Sequence, residues 1–299
     1  SVQISEAHLV KAQHVFPRLI ELLTPMLEAE GRAVVSVCGG SGVGKSETGS
    51  LLAYGLAQHG IGSYLLSGDN YPRRLPAAND AERLRVFRAA GLRGLVEAGG
   101  YDDQVRDELS RLQADGLDAD PSLIAAHPWL AGYLRAGRAA LADYLGTSAE
   151  IDFAELNAIL AAFHDGADAL MLKRMGRAEG QLWYDRVDVS GVRVLVVEWT
   201  HGNSDHLVGV DVPILLNSTP AETLAHRRSR SRDGAVDSPF TTLVLGIEQA
   251  KLAAAAHRAK IIVARSGQLL SFAEYQRSMG LDLRGDDPGL DLVALEGGN

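Results

Sequence analysis

The stretch Val34-Val35-Ser36-Val37-Cys38-Gly39-Gly40-Ser41-Gly42-Val43-Gly44-Lys45-Ser46 restricts what this chain can fold into more than any other. An apolar, β-branched run passes into Gly39-x-x-x-x-Gly44-Lys45-Ser46, the spacing of a phosphate-binding loop set between a buried strand and a helix. Glycines let such a loop curl until its backbone N–H groups converge on phosphate oxygens, and the positive end of the next helix faces the same charge. The lysine reaches the β/γ-phosphates and the hydroxyl at the position of Ser46 ligates Mg²⁺. Helix-compatible residues 47 to 59 follow, as the pattern requires. Gly39, Gly40, Ser41, Gly42, Val43, Gly44, Lys45, Ser46 and Glu47 are therefore the expected nucleoside-triphosphate-binding residues.

The flanking segments extend this unit. Residues 5 to 30 carry Leu9, Phe16, Leu19, Ile20, Leu23 and Leu27 at helical spacing, with Pro17 expected to begin or kink the helix and Gly31 to end it. Strands are expected at 33–38 and 63–66, joined by a helix over 45–59, which makes a βαβ unit with parallel strands. The second strand runs into Gly68-Asp69-Asn70-Tyr71-Pro72-Arg73-Arg74. Ligands sit at the carboxyl ends of parallel strands, so Asp69 is expected on the rim that carries the phosphate loop. There it could accept a proton from an attacking hydroxyl or hold magnesium through water, and Arg73 and Arg74 stand beside it for an anionic or hydroxyl-rich substrate.

From 99 to 146 the pattern is helical, broken at Gly116, Pro121, Pro128 and Gly137, and carries no chemical motif. It reads as an insertion that serves as a lid or a homodimer interface. A further amphipathic helix is expected over 151–163. Lys173-Arg174-Met175-Gly176-Arg177 and Trp183-Tyr184-Asp185 then suit either an acceptor pocket or, as the favoured reading, a β-ribbon with a polar face. The apolar run 192–198 ends in Glu198-Trp199-Thr200-His201. An unpaired buried glutamate would be costly, which favours a functional over a structural role for Glu198. His201, Asp205 and His206 lack the spacing of a transition-metal site. A strand at 212–216 precedes a helix start at Ser218-Thr219-Pro220, and Arg227, Arg228, Arg230 and Arg232 lead to Asp233-Gly234 as an arginine-bearing lid would. A helix over 240–259 and a strand at 260–264 complete the core, and the acidic, glycine-rich last ten residues are expected to be disordered.

The net charge of −9 argues against a nucleic-acid or anionic-membrane partner. No apolar run approaches the ~18 residues of a membrane span, and no cationic stretch followed by an apolar one marks a leader, so a cytoplasmic location is expected. The single cysteine, Cys38, cannot form a disulfide within the chain and reads as a small buried residue.

The order of these features, Gly39 to Ser46, then Gly68-Asp69-Asn70-Tyr71-Pro72-Arg73, then Glu198-Trp199-Thr200-His201, then Arg227 to Asp233, resembles the uridine kinase, phosphoribulokinase and pantothenate kinase family of P-loop kinases. The resemblance covers about residues 32–74 and 190–264. It implies a three-layer α/β P-loop NTPase fold with a parallel central sheet and a helical insertion. The expected parts are an N-terminal helix (1–31), a core (32–94 and 190–270), an insertion with the acceptor region (95–189) and a C-terminal segment (271–299).

The activity implied is transfer of the γ-phosphoryl group of Mg²⁺-ATP to a hydroxyl of a nucleoside, sugar or related polyol, with adenylylsulfate as the rival acceptor. Asp69, Lys45, Arg227, Arg230 and Arg232 are the implied catalytic residues and Ser46, Glu198 and Asp69 the metal residues, while Asp69, Tyr71, Arg73, Arg74, Arg177, Trp199 and His201 are the acceptor residues expected from their own place in the chain. The family commonly has glycine where this chain has Trp199, which implies a different acceptor pocket. Two other nucleotide-binding classes fit less well. The chain has no Asn-Lys-x-Asp guanine-reading motif of a GTPase switch, and Leu66-Ser67-Gly68-Asp69 breaks the signature of a transport ATPase.

Overall fold

A computed structural model of the chain describes residues 4–176, 178, 180–223, 225 and 238–282. The described residues fall into two compact units, Ser1–Asp80 with Leu145–Ser218 and Glu248–Phe272, and Ala81–Tyr144 with Thr219–Ile247 and Ala273–Asn299.

The first unit is built on one six-stranded sheet. Strands β1 (Ala33–Gly39), β2 (Ser63–Ser67), β5 (Val194–Glu198), β6 (Val212–Leu216), β7 (Ile261–Val263) and β8 (Leu269–Leu270) lie in the order β2-β5-β1-β6-β7-β8. All pairs are parallel except β7 with β8, a short antiparallel edge that the sequence pattern does not announce. β1 is buried along its whole length, which is why it reads as an unbroken apolar run instead of an alternating one.

Helices α1 (Glu6–Glu30) and α2 (Lys45–Gln58) cover one face. There Val15, Leu19, Leu23, Leu52 and Leu56 meet Val35, Val37, Val196 and Ile214. α1 runs through Pro17 and Pro25 without interruption, and its apolar face uses Ala12 and Val15 while Leu9 is exposed. α6 (Phe153–His164) packs on the other face, with Leu156, Leu160 and Phe163 against Val34, Leu195 and Val197. The expected three layers are therefore present. A two-stranded antiparallel ribbon, β3 (Ala169–Met175) with β4 (Leu182–Asp188), belongs to the same unit.

The second unit is helical, with the C-terminal part of α3 (Pro76–Glu97), α4 (Asp103–Asp115), α5 (Leu130–Tyr144) and the start of α7 (Pro239–Ala255). Phe87 meets Tyr133 edge-on with ring centroids 5.4 Å apart. Asp118 is buried and receives two hydrogen bonds from the Arg88 guanidinium (2.8 and 2.9 Å) and one from the Tyr133 hydroxyl (2.8 Å). That charge is matched inside the unit, as a buried carboxylate requires. No helix among the described residues is long and apolar enough to cross a membrane.

Candidate active site

Sheet register sets the geometry of the site. Val37 of β1 pairs with Glu198 of β5, and Glu198 in turn pairs with Ser67 of β2. The ends of three neighbouring parallel strands are thus abreast, and everything that follows them emerges on one rim. From β1 comes the loop that enters α2 at Lys45. Gly44, just before the helix, has φ +87°, and a Cβ there would also stand 2.7 Å from the His8 ring, so both backbone and space demand glycine. Lys45 Nζ donates to the Gly40 carbonyl at 3.0 Å, across the loop from its own backbone.

Ser46 Oγ donates to Glu198 Oε2 at 2.9 Å. A hydroxyl and a carboxylate in direct contact, both half-buried on the strand rim, are hard oxygen donors of the type Mg²⁺ takes singly or in pairs, with phosphate oxygens and water completing its shell. The residues fit that ion. Among the described residues no group of three or more His, Cys, Asp and Glu side chains is arranged to hold a metal by itself.

From β2 comes a single 3₁₀ turn, Gly68–Asn70, which presents Asp69. Its side chain reaches solvent yet is flanked by protein on most sides; this desolvation pushes the carboxyl above the ordinary aspartate range, and the Lys45 ammonium partly opposes the rise. Asn70 holds the turn from both ends. Its Nδ2 donates to the Ser67 carbonyl at 3.3 Å, and its Oδ1 accepts from the Met175 amide at 3.0 Å, tying the end of β3 to the turn.

Other expected acceptor residues stand differently. Trp199 is 3 % exposed and Tyr71 1 % exposed, so both lie in the core beneath the rim instead of facing an open pocket. The Trp199 indole packs on Phe153 (5.5 Å) and edge-on to His201 (5.1 Å), and it lies so close under Gly68 that a Cβ there would sit 2.1 Å from Cγ. The bulk of residue 199 thus shapes the turn that carries Asp69. Tyr71, its hydroxyl pushed up to about 12 by burial, has the Lys173 amine 5.6 Å above its ring. Lys173 is itself bonded to Glu155 at 3.0 Å. Arg73 is exposed, with Nε donating to the Ser148 carbonyl (2.7 Å), and its backbone amide donates to the Glu150 carbonyl (2.8 Å). Arg74 and His201 are half-buried. Arg177, Arg227, Arg228, Arg230 and Arg232, like the last ten residues, lie outside the described residues.

Two residues that the sequence reading passed over belong to this region. Glu150 is buried and accepts from the Gly146 amide (2.7 Å) and from Asn79 Nδ2 (2.9 Å), which fixes the loop that holds Arg73. Lys11 is buried and touches the phosphate loop. Its signal was available: Lys11 occupies the face of α1 shared by Ala12 and Val15.

Fold and rim together define an α/β P-loop domain, with its glycine-rich loop at the centre of the sheet. No protein-family model matches the chain. It is 39 % identical over 241 residues to a bifunctional alpha-galactosidase/sucrose kinase of Mediterraneibacter gnavus; the match spans 81 % of this chain and 21 % of that protein. Among solved structures it is similar to D-glycerate 3-kinase of Cryptococcus neoformans (TM-score 0.45, 11 % identity, 86 % of this chain and 98 % of that one). It is also similar to phosphoribulokinase of Rhodobacter spheroides (TM-score 0.43, 15 % identity, 78 % of this chain and 70 % of that one). The chain spans about a fifth of the length of the curated M. gnavus relative.

Proposed function

We propose that the chain is an ATP-dependent kinase that phosphorylates a hydroxyl of a sugar, with a sucrose-like disaccharide as the first acceptor to try. The observation that carries this reading is the shared rim, where the Ser46–Glu198 pair, Lys45 and the Asp69 turn follow adjacent strands. The disaccharide is suggested by the M. gnavus relative. Of the two activities in that protein's name only phosphorylation suits a phosphate loop, since glycoside hydrolysis works through paired carboxylates across a sugar ring.

In this mechanism the Asp69 carboxylate accepts the proton of the acceptor hydroxyl as that oxygen bonds to the γ-phosphorus and the bond to the bridging oxygen of ADP breaks. Lys45 leaves the Gly40 carbonyl for the phosphate oxygens and neutralises charge there, and Arg227, Arg230 and Arg232 are proposed to add to it. Ser46 and Glu198 would hold Mg²⁺, which supplies further neutralisation of the phosphates. Partial desolvation raises the Asp69 carboxyl above the ordinary aspartate range and so strengthens its hold on a proton, the direction that suits a general base.

The test is ADP release from Mg²⁺-ATP against sucrose, free hexoses, sugar phosphates, nucleosides, pantothenate and adenylylsulfate, with Asp69→Asn alongside. Stimulation by a sugar that disappears in the variant is the expected result. Steady hydrolysis indifferent to every acceptor and to Asp69→Asn would refute the proposal.

A further inference from the structure

Helix α1 does more than cover the sheet. Its buried face reads Lys11, Ala12, Val15, Leu19, Leu23 and Leu27, so a lysine occupies the first buried turn of an otherwise apolar stripe. Lysine is rarely buried unless its amine is well partnered. Here Nζ donates to the carbonyl of Val43 at 3.1 Å, inside the phosphate loop and 32 residues along the chain. One turn earlier the His8 ring lies against Gly44, while His8 Nδ1 accepts from the Ser5 amide at 3.1 Å, which holds the ring at the helix start. Two successive turns of α1 therefore press on two successive residues of the loop.

The chemistry of the peptide unit gives this contact a consequence. The described peptide bonds are all trans, so the Val43 oxygen and the Gly44 hydrogen lie in one plane and point in opposite directions across their shared C–N bond. A carbonyl held toward Lys11 turns the Gly44 N–H away from α1. A phosphate cradle needs its amides converging on the anion, and a glycine-rich loop has little intrinsic reason to keep any one peptide plane from flipping.

We infer that Lys11 is a positioning residue for the nucleotide phosphates: through the Val43 carbonyl, with His8 backing Gly44, it sets the orientation of the loop's amides before nucleotide arrives. The inference rests on the nucleotide-binding part of the function proposed above and is independent of the acceptor.

The test titrates ADP and ATP into the full chain and its variants by calorimetry, with steady-state kinetics on the most stimulating acceptor. Lys11→Met keeps the length of the side chain and removes the donor; Lys11→Arg keeps a donor; His14→Ala removes a different α1 contact, the one to the Gly267 carbonyl at 2.8 Å. Lys11→Met should weaken ADP at least tenfold and raise the KM for ATP in proportion, leaving the acceptor KM within twofold. Lys11→Arg should recover most of the loss, and His14→Ala should bind nucleotide as the parent does. ADP affinity within twofold of the parent in folded Lys11→Met, or equal weakening in His14→Ala, overturns the inference. Should Lys11→Met not accumulate as folded protein, Lys11→Gln, whose donor reaches less far, is titrated instead, and undiminished affinity there has the same force. A parent chain that binds nucleotide but transfers no phosphoryl group refutes the kinase proposal and leaves this comparison intact; a parent that binds no nucleotide refutes both.

Discussion

Replacing Gly68 with alanine should damage stability and activity together, because the added methyl has nowhere to go. It would lie 2.1, 2.3 and 2.6 Å from Cγ, Cδ2 and Cβ of Trp199, where two carbons prefer ~3.5–4.0 Å. Neither neighbour yields easily. The indole is 3 % exposed and wedged against Phe153 and His201, and the turn is pinned by Asn70. Overpacking of this kind costs ~1–3 kcal/mol. At ~2–4 °C per kcal/mol for a unit of this size, the upper end of that range is a fall in Tm of about 6–12 °C.

Relief by movement of the turn displaces Asp69, the next residue, and a misplacement of about 1 Å at a reacting group costs on the order of 10²-fold in rate. Differential scanning calorimetry and initial rates on the best acceptor measure the two effects. A double-variant cycle isolates their cause. Trp199→Ala alone opens a cavity at a cost of ~3–5 kcal/mol. Combined with Gly68→Ala it also removes the contacts to Cγ and Cδ2 while the 2.6 Å contact to Cβ stays, so the pair should lose less than the sum of the singles, by at most ~1–3 kcal/mol. A Gly68→Ala protein that melts within 2 °C of the parent and retains its rate, or a strictly additive cycle, would refute the packing account of the turn.

Four further outcomes follow from the site. Glu198→Gln keeps an acceptor for Ser46 but removes the charge, so the Mg²⁺ concentration needed for half-maximal transfer should rise roughly 10–100-fold with Tm unchanged; an unaltered Mg²⁺ titration would dissociate Glu198 from the metal. Because burial raises the Asp69 carboxyl and only its ionised form can take a proton, the acid limb of kcat/KM should fall above the ordinary aspartate pKa of about 3.9; a limb at or below that value counts against Asp69 as the base. The same shift means that the ionised form is disfavoured by folding, so its cost is absent below the unfolded pKa and develops as pH rises through the folded one. Asp69→Asn should therefore melt no lower than the parent at pH 7 while losing transfer, and a clearly lower Tm would contradict the sign. Glu150→Ala removes the acceptor of the Gly146 amide, at about 1–3 kcal/mol, together with the bond from Asn79 Nδ2, and should raise the acceptor KM through the loop that holds Arg73 while leaving ADP affinity unchanged in calorimetry.

The parts of this molecule legible from sequence are those that depend on local pattern. A fully buried parallel strand must be apolar throughout, so β1 was visible, as were the glycine spacing of the loop and the acid at the end of β5. Helical spacing locates α1 but does not say which of its apolar residues are buried; Leu9 is exposed, because a continuous helix has several candidate stripes and only the sheet selects one. Trp199 and Tyr71 illustrate the same limit. Side chains next to candidate site acids look like pocket residues in one dimension, while burial, a property of the neighbours, puts both in the core.

By itself, then, the sequence determined that a phosphate loop joins a buried strand to a helix, since glycine, lysine and hydroxyl spacing along a few contiguous residues is enough to specify it. Tertiary structure decided which distant residues complete that loop. The parallel register of β2, β5 and β1 brings Glu198 to Ser46 and sets the Asp69 turn on the same rim, and the packing of α1 delivers Lys11 to Val43. Pairing across strands and docking of a helix are relations between segments far apart in the chain, and no local pattern contains them.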